Sequence, residues 1–131
     1  MEEYLVKEII EALKIHLAEY LRTVWKTFAA LMLSIGWLLS SESTRTFIAG
    51  DDLIKYGMLV ILVCMALFHL SSLFNLYKKS AAARDSLGDK LDGLLLSVTD
   101  TYSIPLIYPI ASFAMNGLLF IELIGLIILG K

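Results

Sequence analysis

Residues 104–129 read IPLIYPIASFAMNGLLFIELIGLIIL, an apolar run whose only charged side chain is Glu122. At about 1.5 Å per residue this run is longer than a hydrocarbon core of about 30 Å requires, so it predicts a membrane-spanning helix that tilts or protrudes. Two further stretches have the same character, residues 24–41 (VWKTFAALMLSIGWLLSS) and 57–76 (GMLVILVCMALFHLSSLFNL). The fold class expected is therefore all-α: a polytopic membrane protein with three transmembrane helices. A long amphipathic N-terminal helix (residues 1–23) and a short cytoplasmic amphipathic helix (residues 81–100) complete it.

Composition agrees with this reading. Of 131 residues 58% are apolar, and the mean hydropathy is +0.75. Three spans use most of that length, which leaves a single membrane domain and no room for a separate soluble catalytic domain. A net charge of −2 without a basic stripe gives no means of neutralising phosphates, so no nucleic-acid partner is expected. The expected partners are the lipid bilayer and either copies of this chain or other membrane subunits. Cys64 is the one cysteine, which excludes an intrachain disulfide, and mid-span it reads as a small apolar residue. The start, Met-Glu-Glu-Tyr, has no basic n-region of a signal peptide, so the first span is expected to direct insertion itself.

Lysines and arginines set the expected orientation. Lys7, Lys14, Arg22 and Lys26 lie before or at the start of the first span, and Lys78, Lys79, Arg84 and Lys90 lie between the second and third. Only Arg45, Lys55 and Lys131 fall on the other side. The bias predicts a cytoplasmic N-terminus and an external C-terminus.

Apolar residues recur in the N-terminal arm at Val6, Ile10, Leu13, Leu17, Tyr20 and Val24, at spacings of three and four. Neither Pro nor Gly interrupts residues 2–23, so one helix of about 35–40 residues, roughly 55 Å, is expected to run from the arm into the membrane. Such a stripe can lie flat on a bilayer or pack against protein. Surface-seeking helices concentrate Lys and Arg on the polar face, whereas here five Glu match the bases. The arm is accordingly read as an assembly seam. The connection over residues 40–55 reads as a short polar loop, with Gly50-Asp51-Asp52 as a turn and helix start. Pro109 is a candidate kink in the third span, freeing a carbonyl.

Three intramembrane polar residues are the candidate site. Glu122 lies about 8 Å from the centre of the third span, and an ionisable group at that depth is kept at a cost of several kcal/mol unless it faces protein or water. Its functional reading is an ion or proton site or a ring lining a pore; the plainer one is a carboxyl that holds helices together. His69 and Asn116 fall at similar depth in the second and third spans. His69 could be a haem or metal ligand, a weak candidate because the only other histidine, His16, is far away, or a packing residue hydrogen-bonded to Asn116. The acids Asp85, Asp89, Asp92 and Asp100 at helical spacing read as a solvated face, so no metal is implied. No nucleophile elbow, zinc-protease motif or phosphate loop occurs, and no catalytic residue and no cofactor are implied. The expected function is a homo-oligomeric pore or ion-conducting channel lined by Glu122, Asn116 and His69. The alternatives are a non-catalytic accessory or anchor subunit of a larger membrane complex and a small membrane-embedded enzyme.

Overall fold

The computed structural model describes residues 2–88 and 100–129. Four helices account for almost all of them: α1 (Glu2–Ser40), α2 (Glu42–Gly50), α3 (Asp52–Gly88) and α4 (Ile107–Leu129). The helices α1 and α3, and the segment Asp100–Leu129 that contains α4, are each long and apolar enough to cross a membrane. The chain is an all-α integral membrane protein. Among the described residues there is no strand.

The arm and the first span form one uninterrupted helix of 39 residues, as the absence of breakers predicts. It ends where Ser41 adopts an extended backbone and its hydroxyl caps α2 by accepting from the Thr44 N–H at 3.3 Å. Here the expected polar loop over residues 40–55 is corrected: only Ser41 and Asp51 are outside helices, and α2 takes up nine of its residues. A single apolar residue explains why, since Ile48 is buried with Leu38 and Ile127 at that end of the bundle. Asp51 then caps α3, its Oδ1 accepting from the N–H groups of Leu53 at 2.8 Å and Ile54 at 3.3 Å.

Two cations at this end cover helix carbonyls. Arg45 Nη1 donates to Leu38 O at 2.9 Å and Leu39 O at 2.5 Å, and Lys55 Nζ donates to Ile128 O at 2.9 Å. Both places are helix C-termini, where unpaired carbonyls and the helix dipole favour positive charge.

Residues 81–88 of the expected cytoplasmic helix continue α3 without a break; residues 89–99 lie outside the described residues. The chain re-enters through Asp100–Tyr102, which are helical, and Ile104 N–H donates to the fully buried Ser80 hydroxyl at 3.0 Å. Arg84 and Asp100 pair at 2.7 Å, half-exposed, which stabilises little. The third helix begins at Ile107, later than position 104, because Pro105 disfavours the helical region for Ile104. Pro109 falls in the first turn of α4. Its missing N–H would have bonded Pro105 O, and Tyr108 N–H takes that acceptor at 2.9 Å.

The three long helices pack side by side around two apolar clusters. One gathers Leu31, Ile35, Phe120 and Leu123 with the α2 end; the other joins Tyr20, Val24, Leu73 and Ile104. These pairings make α3 antiparallel to both α1 and α4. Leu13, Tyr20 and Val24 are buried, and Tyr20, Val24 and Leu17 pack on this chain's own α3 and α4 segments, so they are not free to meet another chain. Lys14 Nζ adds a contact over the Tyr102 ring, 4.7 Å from its centre. Val6 and Ile10 are only partly covered.

Candidate functional site

At the middle of the bundle one polar side chain from each long helix meets the others. Asn116 of α4 places its amide nitrogen 3.0 Å from His69 Nε2, and His69 Nδ1 lies 3.0 Å from Thr27 Oγ1 of α1. An amide nitrogen can only donate, so Nε2 is the acceptor and the imidazole carries its proton on Nδ1, which donates to Thr27. His69 is 8% exposed and Asn116 1%, so their mutual contact forms away from both water and lipid, while the His69–Thr27 contact is part-buried. Polar groups there have no solvent to fall back on, which makes mutual pairing the arrangement of lowest cost. Asn116 Oδ1 is left without a partner.

One layer below, Tyr20 donates its hydroxyl proton to Ser112 Oγ at 2.8 Å, both residues being buried. Ser112 and Asn116 are one turn apart, on the inner stripe that continues through Phe120, Leu123 and Ile127. Two hydrogen-bonded layers thus fix α4 in rotation against α1 and α3. Tyr20→Phe, which removes only the donor, is expected to cost about 1 kcal/mol of stability in detergent unfolding and to leave the fold intact.

Glu122 is not part of this cluster. Six residues past Asn116, it lies about 9 Å further along α4 and about 120° around it, and there it is exposed. The bundle turns it outward, away from this chain's own packing. Ala111, Ala114, Leu118 and Leu129 are exposed with it along one face of α4. At Gly125, one turn beyond, an added Cβ would meet nothing within 4 Å.

The three residues expected to line one pore are therefore divided, two bonded to each other inside and one outside. Both ring nitrogens of His69 are engaged, so neither is free for a haem iron or another metal. Among the described residues no three His, Cys, Asp or Glu side chains converge on a cation site. Thr27, the third member of the cluster, escaped sequence reading, although it is an isolated hydroxyl at the depth that pairing with His69 requires. No family model, curated protein or solved structure matches this chain.

Proposed function

We propose that this protein acts by assembly in the membrane, as a non-catalytic subunit whose α4 seats against another transmembrane helix along the Glu122 face. The observation that carries the reading is the outward position of Glu122 in an otherwise apolar span. An acidic residue presented to lipid near a helix centre costs about 2.5–3.5 kcal/mol on insertion scales, and a neighbouring helix that offers a hydrogen-bond donor removes most of that. Small residues on the same face permit backbones to approach closely. The inner cluster serves this role indirectly, because a rigid bundle presents its outer face in one orientation. By the lysine and arginine bias, the end carrying Lys78 and Lys79 is the cytoplasmic one.

Native mass spectrometry of the protein extracted in nanodiscs tests the reading. A defined assembly, of copies or with other chains, is the expected result, and a lone chain of 14.6 kDa would sink it.

Ion conduction is a second reading, favoured by the same carboxylate: a closed ring of copies would collect one Glu122 per chain at a common depth. It requires that the purified protein conduct in planar bilayers and that Glu122→Gln change the unitary conductance severalfold. A discrete ring that carries no current removes it.

A further inference from the structure

A second surface, on the α1–α3 side of the bundle, combines two features along the membrane normal. Near the cytoplasmic boundary, Glu19, Arg22, Thr23, Ser72, Asn75 and Lys79 line a polar cleft of about 390 Å³ between the two helices. Directly beneath it, sharing Thr23 and Ser72, runs an apolar groove of about 490 Å³ lined by Val60, Ile61, Cys64, Met65 and Phe68. Arg22 and Asn75 lie five and six residues from the Thr27–His69 contact, so the cleft sits roughly 8 Å nearer the boundary than the bundle's polar layer. From Ser72 to Val60 the groove runs roughly 18 Å along α3, past the middle of the span, a length that accommodates one extended acyl chain descending from the cleft.

We propose that this surface binds one anionic phospholipid of the cytoplasmic leaflet, with its phosphate in the cleft and one acyl chain in the groove. Charge selects the class. Arg22 and Lys79 bring two cations against the single carboxylate of Glu19, and the Ser72 and Asn75 side chains supply hydrogen-bond donors for phosphate and glycerol oxygens. The groove selects a lipid over a free phosphate, because its apolar walls gain nothing from a water-soluble anion. Its floor, where Thr27 and His69 are already bonded to one another, offers no competing polar site. This proposal does not depend on the Glu122 face, which lies on the outer side of α4.

The test is lipid titration of delipidated protein, read by native mass spectrometry, with phosphatidylglycerol and phosphatidylcholine of equal chain length. One phosphatidylglycerol per chain should bind at least several times more tightly than phosphatidylcholine. Arg22→Gln and Lys79→Gln should each weaken phosphatidylglycerol binding about fivefold. Glu19→Gln should tighten it. Cys64→Trp, which fills the groove and leaves the cleft's charge unaltered, should weaken it as well. Lys78→Gln is the control: Lys78 is exposed beside Lys79 but stacks over the Phe74 ring, 4.7 Å from its centre, and does not line the cleft. Equal weakening by Lys78→Gln, or equal affinity for the two lipids, would overturn the site in favour of diffuse surface attraction. Displacement of phosphatidylglycerol by an equal concentration of glycerol phosphate would overturn the lipid and leave a phosphate site only.

Discussion

Asn116→Leu is expected to lower the stability of the folded bundle by about 1–2 kcal/mol, measured by unfolding in mixed detergent micelles. The substitution adds apolar volume where lipid and core are equally apolar, so lost hydrophobic burial is not the cause. The cost arises at His69, whose Nε2 loses the donor that now sits 3.0 Å away and has no water to replace it. His69→Leu should cost a similar amount, because it strands the Asn116 amide in the same dry layer. The double variant separates this account from simple packing damage. With both polar groups gone nothing is left unsatisfied, and Thr27 can turn its hydroxyl to a carbonyl of its own helix, as Thr23 does toward Glu19 O and Ser34 toward Ala30 O. The double loss should therefore be smaller than either single loss. Additive losses would mean that the three side chains act independently.

The second large effect is expected at the outer face of α4. Gly125→Trp places a bulky ring where an added Cβ meets nothing within the chain, so the monomer should fold as before. Helix approach across that face should be blocked, and the assembly should be lost at concentrations where the wild type is fully associated. Glu122→Gln should behave differently, retaining assembly because an amide keeps hydrogen-bonding capacity without the charge. Glu122→Leu, which removes both, should weaken association by about 1–2 kcal/mol, or roughly five- to thirtyfold in dissociation constant. Sedimentation in detergent would read all three. If Gly125→Trp dissociates nothing, the contact lies elsewhere on the bundle.

The parts of the fold that were legible in the sequence are those set by length and by breakers. The three spans follow from runs of apolar residues, and the continuity of α1 follows from the absence of Pro and Gly over residues 2–23. The site is legible only in part. The His69–Asn116 contact follows from matching depths in adjacent spans, and it is present. The direction of Glu122 was available on the same helix by counting, since six residues from Asn116 is far from a whole number of turns. Depth in the membrane, the coordinate that groups the three residues, carries no information about the side of the helix.

Other features are harder to read for a physical reason. In a soluble helix the polar face marks the outside, but a helix in lipid is apolar on both faces, and the sequence of α3 carries little contrast between them. The arm shows a related ambiguity: its apolar stripe announces that Tyr20 and Val24 will be covered, but not that α3 and α4 of the same chain do the covering. The helix α2 was hidden because its one anchoring residue, Ile48, looks unremarkable among Thr, Arg and Phe. Ser41 and Asp51, the caps at either end of that segment, were the available signal.

The central claim is that another helix covers Glu122 in the membrane. Labelling with a hydrophobic carbodiimide, which reaches protonated carboxyls from the lipid phase, tests it most directly. Native membranes and fully dissociated detergent-solubilised protein would be compared by peptide mass mapping. The account predicts that Glu122 is protected in the membrane and becomes reactive on dissociation. Equal, rapid labelling in both states would contradict it, because a carboxyl that lipid-borne reagent reaches freely is one that no neighbouring helix covers.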